Sequence, residues 1–112
     1  MKTTCGIDIV YLPRFRELLH KQPSVQYEIF TDQELKIFTT VESRAGIFAA
    51  KEAIIKAYKK PLAMRDIEVM KNSDGSPYIS QPTVLRQETV STDLSISHDG
   101  EYVVASCSFL MQ

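Results

Sequence analysis

The chain has 112 residues, 44% hydrophobic and 24% charged, with 13 basic and 14 acidic side chains and a net charge of −1. That composition suits one globular domain spanning residues 1–112, and it excludes a disordered chain, a fibre and a strongly basic nucleic-acid binder. The longest apolar runs are far shorter than a bilayer span and no basic segment leads into one, so we expect a cytoplasmic protein with no signal peptide and no membrane partner.

Thr3 to Val10 reads as a short apolar strand interrupted by Gly6 and Asp8. A carboxylate there either faces outward near a strand end or needs a metal, a cation or hydrogen-bond donors, because burying it unpaired costs several kcal/mol. Cys5 and Cys107 have no motif spacing and are expected as buried small hydrophobes. Pro13 opens a short helix whose apolar face is Phe15, Leu18 and Leu19. Arg14, Arg16, His20 and Lys21 leave it a basic surface, either merely solvated or suited to steering an acidic partner. Gln22 to Gln26 reads as a loop.

Thr31 and Glu34 have the spacing of a capping box, which explains both polar residues structurally. That helix is expected to reach about Thr40, with a break around Val41 to Ser43 before the central helix. The central stretch, Phe48 to Ala57, contains no Gly or Pro and is the strongest helix of the chain. At about 100° per residue, Ile47, Ala50, Ile54, Ala57 and Tyr58 share one face while Glu52, Lys56 and Lys59 share the other. Taken alone, Glu52 and Lys56 read first as an ordinary surface i, i+4 pair of about 0.2–0.5 kcal/mol. Pro61 closes the helix.

Asp66 to Met70 reads as a strand, Asn72 to Pro77 as a turn, and Tyr78-Ile79 as the return of a hairpin. Pro82 to Glu88 is either a short helix or irregular. Asp93 to His98 alternates, with Leu94 and Ile96 on one face and Ser95 and Ser97 on the other. After a turn at Asp99-Gly100, Glu101 to Leu110 forms the last strand. The expected fold is α+β: antiparallel strands from both ends of the chain packed against a long central helix.

The polar anomalies are Asp8, Glu52, Lys56 and His98. Two carboxylates from separate elements suit one hard cation such as Mg2+, which keeps waters and substrate phosphate oxygens in its shell. Lysine and histidine beside it suit further phosphate charge, so the set fits a nucleotide or pyrophosphate substrate. Neither a Walker loop nor a Gly-x-Gly-x-x-Gly is present.

In their order along the chain, these pieces resemble a known family. Gly6-Ile7-Asp8-Ile9-Val10 with Arg14, Phe30-Thr31-x-x-Glu34-Leu35, Phe48-Ala49-Ala50-Lys51-Glu52-Ala53 with Lys56, Asp66-Ile67-Glu68-Val69, Gly75-Ser76-Pro77-Tyr78 and Ser95-Ile96-Ser97-His98 are similar to the motifs of the holo-acyl-carrier-protein synthase type of 4′-phosphopantetheinyl transferase. The resemblance implies transfer of 4′-phosphopantetheine from coenzyme A to a serine of an apo acyl carrier protein, with adenosine 3′,5′-bisphosphate leaving. It implies that Asp8 and Glu52 hold Mg2+ and that Lys56 neutralises phosphate charge. His98 and Ser97 would meet the nucleotide's phosphate, Gly75 and Pro77 the adenine region, and Arg14 the carrier. The serine's proton would go to Glu52 or to a metal-bound water. It further implies a homotrimer with shared active sites, Asp8, Glu52 and Lys56 coming from one chain and His98 from its neighbour.

Three departures accompany it. Ile47 stands where the family usually has an arginine, with Arg44 one turn earlier as a possible replacement. Tyr58-Lys59-Lys60-Pro61 replaces a Gly-rich loop, and Lys59 and Lys60 offer positive charge in its place. Tyr11 replaces an often acidic residue. Ile47 and the missing Gly-rich loop motivate an alternative, a catalytically weak paralogue acting as a carrier-binding or assembly module.

Overall fold

The first and last strands of the chain lie side by side. The structure is a computed structural model describing residues 1–112. It runs β1 (Lys2–Tyr11), α1 (Leu12–Lys21), α2 (Gln26–Ile29), α3 (Asp32–Ile37), α4 (Val41–Tyr58), β2 (Glu68–Lys71), β3 (Pro77–Gln81), α5 (Thr83–Glu88), β4 (Thr89–Asp99) and β5 (Tyr102–Met111), with 3-10 turns at Pro23–Val25 and Met64–Asp66. The main sheet has the order β1-β5-β4 and is antiparallel throughout, while β2 and β3 form a separate hairpin. This is the expected α+β arrangement. No helix is long and apolar enough to cross a membrane.

Strand alternation sorts the sheet's side chains onto two faces. Gly6, Asp8 and Val10 lie across from Cys107, Ala105 and Val103, and these in turn from Leu94, Ile96 and His98. That face is covered by α4, which packs against β1, β5 and β4. The other face carries Ile7, Ile9 and Tyr11 beside Ser106, Val104 and Tyr102. It is uncovered, and Ile7 and Ile9 are 63% and 62% exposed.

Small residues let α4 sit low on the sheet. Ala45, Ala49, Ala50, Ala53 and Ala57 are all fully buried. The closest approach is at Gly6, where a Cβ would lie 2.1 Å from the Ala53 carbonyl oxygen and 2.8 Å from the Ala57 nitrogen. Only a residue without a side chain fits there. The helix starts at a capping box, with Thr40 as N-cap and Ser43 reciprocating. It ends at Lys59, which adopts the left-handed conformation (φ 64°) that favours glycine.

A buried ion pair ties α4 to the elements before and after it. Lys51 and Glu34 are both fully buried side chains 2.5 Å apart. Lys51 Nζ also donates to the Ile29 carbonyl at 2.7 Å. Glu34 accepts from Thr31 N–H at 2.8 Å and from Val69 N–H at 2.7 Å. The pair's polar groups are thus satisfied, which is what keeps such burial tolerable. Burial lowers the Lys51 pKa, and the Glu34 carboxylate opposes that shift.

Several boundaries differ from the sequence expectation. The Gln22 to Gln26 segment is a 3-10 turn leading into α2. The α3 helix stops at Ile37 rather than near Thr40, and the break before α4 falls at residues 38–40 rather than at Val41 to Ser43, which are already helical. The strand expected from Asp66 starts at Glu68, after a 3-10 turn. Thr83 to Glu88 is helical. Cys5 is exposed rather than buried; Cys107 is buried, and burial pushes its thiol up to about 12.

Candidate active site

Asp8, Glu52 and Lys56 converge where β1 meets the C-terminal half of α4. Asp8 points to the covered face of the sheet, level with Ala105. Glu52 and Lys56 follow one another by one helical turn, and the absent side chain at Gly6 lets that turn approach β1. Lys56 Nζ donates to Asp8 Oδ1 at 3.2 Å and to the Ile7 carbonyl at 2.9 Å. Glu52 is half-buried; burial raises its pKa, Asp8's negative charge raises it further, and Lys56 pulls the other way. The Asp8 charge beside a half-buried Glu52 makes a site that calls for further positive charge.

That electrostatic need fits a hard divalent cation. No third histidine, cysteine, aspartate or glutamate joins Asp8 and Glu52 to complete a metal cluster. Two carboxylates alone suit an ion such as Mg2+ that fills its remaining positions with water and substrate oxygens. They do not suit a closed zinc or calcium cage.

Asp8 and Glu52 open onto a cleft of about 500 Å³ with a largely apolar wall that includes Phe15, Leu18 and Phe48. Phe15 stacks on Phe48 with ring centroids 5.3 Å apart, fixing α1 against α4. Arg14 stands in the same cleft, its guanidinium carbon 5.7 Å from the centroid of the Tyr11 ring. Arg14 is exposed and is the one cation among the residues that line this cleft, opposite the acids Asp8 and Glu52.

A second cleft, of about 340 Å³, lies at the N-terminal half of α4 and includes Gly46, Ile47, Lys71, Gly75, Pro77 and His98. A Cβ on Gly46 would be 3.4 Å from His98 Nε2, so the glycine leaves the imidazole room against the helix. Gly75 (φ 89°) makes the β2–β3 turn, and Lys71 pairs across the hairpin with Pro77. Gly46 and Glu52 are separated by about 9 Å along the helix axis and by about a third of a turn around it. The two clefts therefore occupy different faces of α4.

The structure brings Asp8, Glu52 and Lys56 together, and separately Gly75, Pro77 and His98. Ser97 joins neither group. Strand alternation turns it to the uncovered face, paired with Val104, away from its neighbour His98. Arg44 does not replace the arginine missing at Ile47. Its guanidinium donates to the carbonyls of Phe38 (2.6 Å) and Leu35 (3.0 Å) and to the Gln26 side chain (2.6 Å). Lys60 is paired with Glu88 at 3.1 Å, leaving Lys59 as the cation at the helix exit without an ion-pair partner. Lys71 was not singled out from the sequence. Its signal was a lone cation at the strand end beside the Asn72–Pro77 turn, recognisable only once that turn was placed against His98.

Comparison with known proteins gives this arrangement a family. The model of the 4′-phosphopantetheinyl transferase superfamily matches residues 4–107. A holo-[acyl-carrier-protein] synthase of Anoxybacillus flavithermus is 39% identical over 110 residues, covering 89% of this chain and 88% of its own. Among solved structures, the Chronobacterium ammoniagenes ACPS–CoA complex superposes with a TM-score of 0.84 at 32% identity, covering 100% of this chain and 99% of that one. The Bacillus anthracis holo-(acyl-carrier-protein) synthase in complex with CoA (3′,5′-ADP) gives 0.82 at 32% identity, covering 97% and 96%. The chain belongs to the 4′-phosphopantetheinyl transferase superfamily and to its holo-acyl-carrier-protein synthases.

Proposed function

We propose that the protein moves 4′-phosphopantetheine from coenzyme A to a serine of an apo acyl carrier protein, in a Mg2+-dependent reaction that releases adenosine 3′,5′-bisphosphate. The observation that carries this reading is the Asp8–Glu52–Lys56 cluster: two carboxylates, the half-buried Glu52 held up in pKa by burial and by the Asp8 charge, with an ammonium against Asp8. Asp8 and Glu52 would hold the metal, which supplies positive charge for the pyrophosphate. Lys56, held by the Ile7 carbonyl and Asp8, adds a cation for the phosphate that changes partners. In the transfer, the serine oxygen forms a bond to the phosphorus bearing pantetheine, and the bond from that phosphorus to the leaving phosphate oxygen breaks. The hydroxyl proton would go to Glu52 or to a water in the site. Such chemistry relies on positioning and charge neutralisation.

The His98 cleft takes the nucleotide end of coenzyme A, with Gly75 and Pro77 beside the base. Arg14, at the mouth of the carboxylate cleft, takes an acidic face of the carrier. Because the clefts lie on different faces of α4, one chain offers two half-sites. We assign the complete site to a homotrimer in which the carboxylate half of one chain faces the His98 half of the next. The uncovered Ile7 and Ile9 support such packing, since an apolar sheet face of this kind marks an interface.

Incubation with coenzyme A, Mg2+ and several apo carrier proteins, followed by intact-mass measurement of the carriers, tests the activity. The expected result is a phosphopantetheine adduct on a serine of at least one carrier. Carrier binding by folded protein without any adduct supports the alternative of a binding module, for which Ile47 and the Lys59-Lys60 exit are the motivation. Sedimentation tests the assembly: an active monomer overturns the shared site.

A further inference from the structure

We propose that Lys71 reads the 3′-phosphate of coenzyme A, supplying the cation that the side chain at position 47 does not. The proposal rests on the reading above that the His98 cleft holds the nucleotide. The reacting pyrophosphate, on the 5′ side of the ribose, must extend to Asp8 and Glu52. The phosphate that lies away from the reacting diphosphate, on the nucleoside held in the His98 cleft, is therefore the one on the 3′ oxygen. A doubly charged phosphate calls for cationic donors, and a census of the cleft leaves few.

Position 47 is an isoleucine, and it is only 1% exposed. Arg44 is committed to three acceptors from α2 and the α3 exit. Glu42, the one acid on the cleft wall, is tied to Arg16 at 3.1 Å, so that arginine is also engaged. Lys71 and His98 are the remaining basic side chains on the wall. Lys71 Nζ has no ion-pair or hydrogen-bond partner and lies 5.8 Å from the centroid of the Phe38 ring. Phe38 is buried, so its ring is a fixed surface that orients the ammonium without neutralising it. The turn beside it is stiff: Asn72 N–H donates to the Ser76 carbonyl at 2.8 Å and Gly75 N–H to the Asn72 carbonyl at 2.9 Å. The cation is thus unpaired, and its strand end and the Phe38 ring place it on the cleft wall beside His98.

The test is calorimetric binding of adenosine 3′,5′-bisphosphate and of adenosine 5′-monophosphate to the wild-type protein, Lys71→Met and Lys71→Arg, at one salt concentration. Wild type should prefer the bisphosphate, Lys71→Met should reduce that preference about tenfold, and Lys71→Arg should restore most of it. The ratio of kcat/KM for coenzyme A over 3′-dephospho-coenzyme A should fall in parallel in Lys71→Met. An undiminished preference in Lys71→Met, or an equal loss for both nucleotides, overturns the role of Lys71 while leaving the nucleotide cleft standing. Binding of neither nucleotide by folded wild-type protein overturns the cleft assignment and the proposal together.

Discussion

Lys56 Nζ sits 3.2 Å from Asp8 Oδ1, a contact between residues 48 positions apart in the chain. The ammonium is half-exposed, whereas the carboxylate is largely covered. The same ammonium also holds the Ile7 carbonyl at 2.9 Å. Lys56 is therefore positioned by the backbone as well as by the charge of its partner. Replacing it with methionine should lower kcat/KM for transfer by about 10²-fold or more, with little change in melting temperature. Steady-state kinetics beside a thermal melt would check both halves. Wild-type kinetics in Lys56→Met would remove the lysine from the reaction.

Glu52 gives a prediction with a definite pH sign. Its folded-state pKa is raised, so the folded protein holds the proton to higher pH than the unfolded chain does. Metal-free stability therefore declines as pH rises from the ordinary glutamate value, about 4.3, to the raised one, and the deficit persists above both. Glu52→Gln lacks that deficit. Its melting temperature relative to wild type should climb over this interval in chelator-treated samples, while transfer activity falls by about 10²-fold or more. Melts from pH 4 to about 8 decide it; a constant difference across the range counts against the assigned cause.

Mg2+ should act on the same balance. Adding it should raise the melting temperature of wild type through ligand linkage. Asp8→Asn and Glu52→Gln should each lose most of that increment, because either change removes one of the two carboxylates proposed to hold the ion. An undiminished Mg2+ response in both variants would place the ion elsewhere.

The Lys51–Glu34 pair is a stability feature. Lys51→Met leaves a buried carboxylate without its cation and should cost about 3–5 kcal/mol in chemical denaturation. The exposed Lys21–Glu17 pair is the contrast: Lys21→Met should cost at most about 0.5 kcal/mol. Similar losses for the two variants would contradict the burial argument.

At the exit of α4, Lys59 occupies a left-handed conformation at φ 64°. Relief of a steric cost of about 1–2 kcal/mol is partly offset by glycine's greater freedom in the unfolded chain. Lys59→Gly should thus stabilise the protein by about 0.5 kcal/mol, measured by urea titration. A loss of stability would mean that the lysine side chain contributes contacts of its own.

Local signals made much of this molecule legible. The Thr31–Glu34 capping box, the Asp74-Gly75 turn and the alternation before His98 depend on neighbours in sequence, and the structure has all three. The start of α4 was harder to see because its cap uses Ser43 in place of the usual glutamate or glutamine. Lys51 was hidden for a different reason: its partner Glu34 lies 17 residues away, beyond any helical period. Ser97 shows the reverse error. It is adjacent to His98 in sequence, yet the pleat sends the two to opposite faces. Arg44 matched the missing charge by spacing alone, and the carbonyls that hold it come from an irregular exit that no periodicity describes.

The contact at Gly6 also governs which mutational routes are open to the protein. The two nearest obstacles to a side chain there are main-chain atoms, the Ala53 oxygen and the Ala57 nitrogen. Every amino acid carries those atoms, so trimming a facing side chain on α4 does not relieve the collision. A genetic screen for suppressors of Gly6→Ala should accordingly return true revertants, or changes that shift the whole helix, and no compensating substitution at Ala53 or Ala57. The junction that carries Asp8 to Lys56 is in this sense inherited as one unit.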